Sequence, residues 1–366
     1  MSIIAGMFFP NLFLSASINL VTESAFGVLI IVSAIIAMLV GALIALKQKE
    51  LMSLIYTVTA AEIGFVFLAI GTALLLTGTV YGSVALDAGI FHAINTAIGF
   101  VLLLQVAISI HHSTKENDIS NLGELAKKMK YTCIFFIFGF LALIGIPPTG
   151  SFTSSLMIYE SAYRVNPVLS VIAILCSMLL LAAFIKALYF IFLKPSKTSV
   201  KDIKEVPKSM LISMGIIAAI ITIFSIFPNF VLEFIVQPTV DSILNHPNYF
   251  KQASLLIGKE VNVYWDPIIF IIISALTLLI VYVIRGFGND KYNKKSGQTK
   301  PVTSGKKNYK KENVGLTHTD TYQVFFNSTK WAYALLERKI GKRKASDYIL
   351  ILTVLIPTLL FIVGVI

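Results

Sequence analysis

Charge is what this sequence has least of: Asp, Glu, Lys and Arg make up 13% of its 366 residues, against 56% hydrophobic residues and a mean hydropathy of +0.82. Soluble domains carry about 25% charged residues, so a water-soluble enzyme or binding module of this length is excluded. Cysteine is nearly absent too. Cys133 and Cys176 both fall inside apolar runs, with no CxxC and no His/Cys ligand spacing, which excludes a disulfide framework and an iron–sulfur or zinc site. No glycine-rich nucleotide loop, haem histidine pair or nucleophile–base arrangement occurs. The chain therefore has no visible means of redox or hydrolytic chemistry by itself, and no cofactor or metal is expected in it. Residues 1–20 are apolar but interrupted by Pro10, Asn11 and Asn19. They lack the basic stretch and A-x-A-like site of a cleaved leader and read as a short interfacial segment.

Apolar runs fill the sequence instead. A membrane span needs about 20 mostly apolar residues, and about eight candidates are legible: 24–46, 51–77, 84–111, 131–165, 168–193, 209–236, 267–285 and 348–366. The fold expected is an all-α integral membrane protein of about eight transmembrane helices, one of them broken. Its parts are an N-terminal interfacial segment (1–23), five closely linked spans (24–193), and further spans with an outer loop at 237–265 (194–285). A Lys/Gly/Asn/Ser/Thr-rich linker follows (286–318), expected to be disordered. An amphipathic surface helix (319–347) then precedes the last span (348–366). On that surface helix Val324, Phe325, Trp331, Leu335 and Leu336 oppose Lys330, Arg338, Lys339 and Lys342, as in a helix lying on a membrane surface or against a partner subunit.

A net charge of +11 would suggest nucleic acid in a soluble protein, but here the placement of the charge carries the meaning, and no nucleic-acid partner is expected. Sorted by alternate sides of the spans, 26 of the 30 Lys and Arg fall on one side, including Lys47, Lys49, Lys115, Lys127 and Lys128. Arg164, Lys251 and Lys259 fall on the other, and Lys186 within a span. The basic side is expected to be cytoplasmic. With an even number of spans, both termini then face outward from a multi-pass plasma-membrane protein in contact with lipid.

Polar groups inside the spans are the candidates for function, because they are costly there. Glu62, in TVTAAEIGF, is either a proton-relay carboxyl or a neutral or ion-paired one that fixes helix packing. His92 opens HAINTAIGF, with Asn95, Thr96 and Gly99 at i+3, i+4 and i+7 giving one polar, small-residue face. An imidazole passes protons near neutral pH, or it is a satisfied packing residue. Lys186 lies towards the basic end of its span, where it snorkels unless it pairs with a carboxylate. Glu160 and Arg164, spaced i and i+4, read as an ion pair, and Asp87 as a solvated residue at the outer start of its span. Gly145, Pro147, Pro148 and Gly150 break the fourth span. A break inside hydrocarbon exposes backbone N–H and C=O groups, so it must be packed in protein or face a hydrated cavity, as at transporter ion sites.

Taken in order, GALIALKQKELMSLIYTVTAAEIGF, FHAINTAIGF, DISNLGELAKKM, LALIGIPPTGSFTSS and the span around Lys186 resemble the antiporter-like subunits of respiratory complex I, Mrp-type sodium/proton antiporters and energy-converting hydrogenases. The resemblance covers about residues 24–236. It implies one antiporter-type five-helix repeat, the second of the family's two inverted repeats. It also departs from the family at two places. Where the family reads H-x-x-x-H-x-x-x-K, this chain has His92, Thr96 and Phe100; where it carries Lys or Glu after the broken helix, this chain has Ser155. What the resemblance implies is a membrane-arm subunit of an ion-translocating redox complex, of hydrogenase or complex I type, using Glu62 and His92 in a partial proton path. Two alternatives remain open: a scaffold subunit that carries no ions, and one component of a multisubunit sodium/proton antiporter. Other membrane subunits of the same complex are expected as partners, and the first repeat is either a separate polypeptide among them or absent from the complex. Catalytic metals, flavin or iron–sulfur clusters of an oxidoreductase would belong to those partners.

Overall fold

A computed structural model of the chain describes residues 20–195, 203–244 and 267–286. Among these residues the fold is all α-helical, with one isolated bridge between Glu50 and Asp118. The helices are α1 (Leu20–Lys47), α2 (Leu51–Leu75), α3 (Val80–Thr114), the single turn α4 (Leu125–Lys128), α5 (Lys130–Ile144), α6 (Gly150–Val165) and α7 (Pro167–Leu188). Helix α7 closes in a π-helical turn, Tyr189–Leu193. After it come α8 (Lys208–Ile226), the short α9 (Pro228–Val231), a second π-helical turn (Leu232–Val236), α10 (Gln237–Leu244) and α11 (Pro267–Gly286). The chain divides into two compact units, the first holding α1 to α10 and the second most of α11. Among the described residues, five helices are long and apolar enough to cross a membrane, and Lys130–Ile144 and Pro267–Val283 are shorter apolar helices.

In lipid each backbone polar group must be satisfied internally, which leaves helices as the answer to long apolar runs. α1 and α2 are joined by a turn of three residues and pack closely because small residues line their seam. A Cβ added at Gly41 would lie 2.9 Å from Ala61 Cβ, at Gly64 2.7 Å from Met38 Cγ, and at Gly71 2.7 Å from Ile31 Cγ1. Helix α3 is the central element, packed against α2, α5, α6, α8, the second π turn and α10. It starts at Thr79, whose hydroxyl accepts from Gly82 N, and runs 35 residues. At 1.5 Å per residue that is about 50 Å, more than a bilayer core of about 30 Å.

The basic end is tied together by backbone bonds between loops. Ile119 N donates to Lys49 O at 2.7 Å, Glu124 N to Lys194 O at 2.9 Å, and Lys194 Nζ to Ser120 O at 3.1 Å. Within the α3–α4 loop, the Glu116 carboxylate accepts from the N–H groups of Asp118 and Asn117 and from Asn121 Nδ2, and these bonds hold it below the usual carboxylate range. Glu205 reaches back to the start of α5, accepting from Tyr131 N at 2.9 Å and Thr132 Oγ1 at 2.6 Å, and so caps N–H groups left over at that helix end.

The break in the fourth span is present. α5 ends at Gly145, whose φ of 73° is left-handed, and the cis Pro147–Pro148 pair leads into α6 at Gly150. Three expectations change. The span at 209–236 is not continuous: Pro228 cannot donate and clashes with the preceding turn, so the helix stops at Ile226 and resumes as α9. The outer loop expected at 237–265 begins as helix α10, and its remainder lies outside the described residues. Residues 20–23, read as part of the interfacial segment, begin α1. The rest of that segment, nearly all of the linker 286–318, the surface helix 319–347 and the span 348–366 also lie outside the described residues.

Gly64→Ala puts its methyl group against Met38 side chain and backbone, 2.7 and 3.0 Å away, and should cost about 1–3 kcal/mol as overpacking. Gly215→Ala, whose nearest neighbour is Phe135 Cζ at 3.9 Å, should be neutral or stabilising by up to about 1 kcal/mol. Thermal unfolding of the full chain in detergent separates the two. Equal melting temperatures would contradict the close α1–α2 seam.

Candidate functional site

Three helices bring their polar residues to one buried point. α2 supplies Glu62, α3 supplies His92, and the first turn of α6, just past the break, supplies Ser154. His92 is 0% and Glu62 2% exposed. His92 Nε2 lies 3.0 Å from Glu62 Oε2, and His92 Nδ1 lies 2.9 Å from Ser154 Oγ. Ser154 Oγ also donates to Ser151 O at 3.0 Å. Because a hydroxyl has one proton, that last bond makes His92 Nδ1 the donor to Ser154 Oγ. The Nε2–Oε2 bond then contains one further proton, on the imidazole as an ion pair or on the carboxyl as a neutral pair. The site is thus built to hold a proton between two groups.

Its surroundings are apolar and aromatic. The Phe65 ring packs on His92 with centroids 5.8 Å apart and on Tyr159 at 6.2 Å. Tyr159 hydrogen-bonds Ser177 at 2.6 Å, and the backbone carbonyl of Tyr159 accepts from Ser170, linking α6 to α7. Among the described residues, Glu62 Oε1, Thr96 Oγ1 and Thr153 Oγ1 are buried without a hydrogen-bond partner. Buried polar atoms in native proteins are nearly always bonded, commonly to ordered water, so these three are points where water would be held.

The other sequence candidates divide by place. Asn95 donates to Phe91 O at 2.9 Å, and its Oδ1 abuts Gly150, the first residue after the break. Gly150 N in turn donates to Ser225 Oγ of α8 at 3.1 Å. Thr96 is buried one turn after His92. Lys186 is elsewhere: its Nζ donates to Leu46 O at 2.6 Å and Gln48 O at 2.7 Å, capping the last carbonyls of α1 at the basic end. Phe100 is half-buried against Tyr56, ring centroids 5.9 Å apart, and Ser155 is buried beside Gly145. Glu160 and Arg164 form the i,i+4 pair, 2.7 Å apart, with the guanidinium 4.4 Å over the Tyr81 ring.

Two residues escape sequence reasoning. Ser154 has one signal in the sequence, the hydroxyl run Ser151, Thr153, Ser154 and Ser155 that follows a helix break in an apolar chain. Asp87, read as solvated, is 2% exposed. α3 begins at Val80, four residues earlier than expected, so Asp87 lies two turns inside the helix and α10 packs over that end.

Residues 2–181 match the transmembrane family described as NADH:quinone oxidoreductase/Mrp antiporter. One of the Na(+)/H(+) antiporter subunits of Alkalihalophilus pseudofirmus is 28% identical over 250 residues, covering 63% of this chain and 30% of that protein. Hydrogenase-4 component B of Escherichia coli is 26% identical over 215 residues, covering 55% of this chain and 32% of that protein. This chain therefore spans about a third of the length of these relatives. In fold it is similar to a chain of the membrane-bound sulfane sulfur reductase, an archaeal respiratory membrane complex, with a TM-score of 0.62 and 20% identity over 92% of this chain and 56% of that one.

Lys186→Met removes both bonds to the end of α1 and leaves two carbonyls unsatisfied, which should cost about 1–3 kcal/mol of stability. Thermal unfolding reads the loss, and Lys186→Arg should recover part of it. A Lys186→Met protein as stable as the parent would show that the cap contributes nothing.

Proposed function

We propose that this chain, which belongs through residues 2–181 to the NADH:quinone oxidoreductase/Mrp antiporter transmembrane family, is a membrane-arm subunit of an ion-translocating complex and passes protons through Glu62 and His92. The observation that carries this reading is the buried Glu62–His92–Ser154 chain at the helix break. Its Nε2–Oε2 bond holds a proton that moves between carboxyl and imidazole without unpairing either group. Ser154 and the unpartnered hydroxyls of Thr96 and Thr153 supply the next donors and acceptors. Asn95 borders the same break. Lys186, bonded to the α1 carbonyls, holds the helix end and carries no proton in this reading.

Phe100 and Ser155 stand where the resembled family carries lysine or an acid, and neither takes on a charge near neutral pH. Glu62 with His92 takes that task over here. The chain acts within a multisubunit complex in the plasma membrane, its basic side cytoplasmic. Electrons pass through partner chains, as the hydrogenase and sulfur reductase names of its relatives suggest. The Na(+)/H(+) antiporter among its relatives supports a second reading, in which the same pair serves sodium/proton exchange.

In native membrane vesicles, Glu62→Gln and His92→Ala should each lower donor-driven proton translocation about tenfold or more, with the complex still assembled. Unchanged translocation in both would leave the chain a scaffold. Sodium flux that persists without an electron donor, and falls in Glu62→Gln, would favour exchange.

A further inference from the structure

The N-terminal end of α6 is capped from another helix. A helix leaves its first N–H groups without partners, and the residue before it commonly supplies a side-chain oxygen to one of them. Before α6 that residue is Thr149, but its side chain makes no such bond and its hydroxyl donates to Leu141 O of α5 at 3.4 Å. The cap comes from α8. Ser225, 6% exposed, gives its one hydroxyl proton to Ile221 O at 2.7 Å and accepts from Gly150 N at 3.1 Å. Three residues on stands Pro228, which has no N–H to give to Phe224 O, and α8 ends at Ile226. Phe224 O lies against the same glycine: a Cβ at Gly150 would be 3.1 Å from it and 2.9 Å from Asn95 Oδ1 of α3. Two interrupted spans thus meet at Gly150, with α3 on a third side, and the lack of a side chain is what lets them approach.

Gly150 opens the turn that ends at Ser154. The next carbonyl, Ser151 O, receives the Ser154 hydroxyl at 3.0 Å, and that bond leaves Ser154 Oγ to accept from His92 Nδ1 at 2.9 Å. We propose that Ser225 is a positioning residue for His92: by holding the Gly150 N–H it fixes the first turn of α6, and with it the hydroxyl that keeps the imidazole turned towards Glu62. Ser225 acts through Gly150 and Ser154. Proton transfer needs hydrogen-bond reach, about 2.6–3.2 Å between heavy atoms. His92 Nε2 and Glu62 Oε2 stand 3.0 Å apart, so a small turn of the ring takes them out of it. The consequence for transfer rests on the reading of Glu62 and His92 as proton carriers, whereas the hold on the ring does not.

The test reads the His92 Nδ1 signal by solid-state 15N NMR of the histidine-labelled full chain in lipid bilayers, in Ser225→Ala, Ser225→Thr and Thr222→Val. Thr222 is an exposed residue of α8 whose hydroxyl donates to Ala218 O of its own helix, so its loss reports any general effect of changing α8. Ser225→Ala should move the Nδ1 signal in the direction that Ser154→Ala moves it. Ser225→Thr, which keeps the hydroxyl, should return it to the parent position, and Thr222→Val should leave it there. In native membrane vesicles, donor-driven proton translocation should fall about three- to tenfold in Ser225→Ala, as for the loss of one buried hydrogen bond, and recover in Ser225→Thr. An Nδ1 signal unchanged in Ser225→Ala, or moved as far in Ser225→Thr or Thr222→Val, overturns the proposal. If Ser225→Ala does not fold, Ser225→Cys, with a weaker acceptor in the same place, is read by the same outcomes. An unmoved Nδ1 signal with translocation still dependent on Glu62 overturns the role of Ser225 alone. A moved signal with translocation indifferent to Glu62→Gln and His92→Ala overturns the proton-carrier reading alone.

Discussion

The hydrogen bond between Glu62 and His92 is the interaction on which the remaining polar chemistry of this chain depends. A carboxyl group alone in the middle of an apolar helix bundle is costly as an anion and inert as an acid. Joined at 3.0 Å to an imidazole, it shares one proton, and both groups keep a partner wherever that proton sits. Such a pair needs three helices at one point. α2 and α3 bring the two titratable groups, and α6 brings the hydroxyl that fixes the ring through Nδ1. α6 can begin there because the chain breaks between Gly145 and Gly150, so the Pro/Gly segment that costs a continuous helix also places Ser154 against His92.

The two ends of the bundle differ in kind. At the basic end the polar groups are occupied in holding loops together: Lys186 caps α1, Lys194 binds Ser120, and Ile119 binds Lys49. These bonds satisfy backbone groups and leave little chemistry free. Near the middle of α3 stand the Glu62–His92–Ser154 chain and the buried hydroxyls of Thr96 and Thr153, and nearer its N-terminal end the buried carboxyl of Asp87. In the other direction along α3, Phe100 packs against Tyr56.

Long apolar runs make the helical fold legible in the sequence, since lipid leaves the backbone no other choice. The break at Gly145–Gly150 and the Glu160–Arg164 pair are equally readable, the first from proline and glycine inside a span, the second from i,i+4 spacing. Glu62 and His92 are each visible as costly residues, but they are 30 positions apart on different helices and their bond is a product of packing. Ser154 owes its importance to a neighbour on another helix, His92, that no local pattern names. Lys186 is readable as a lysine near the basic end of its span, but its bonds to the Leu46 and Gln48 carbonyls, about 140 positions away, are set by packing.

Solid-state 15N NMR of the histidine-labelled chain in lipid bilayers, with His92 assigned by its loss in His92→Ala, tests the shared proton most directly. The account predicts a protonated Nδ1 and an Nε2 whose signal moves when Glu62→Gln removes the acid. His92 signals that are identical in the parent chain and in Glu62→Gln would contradict it.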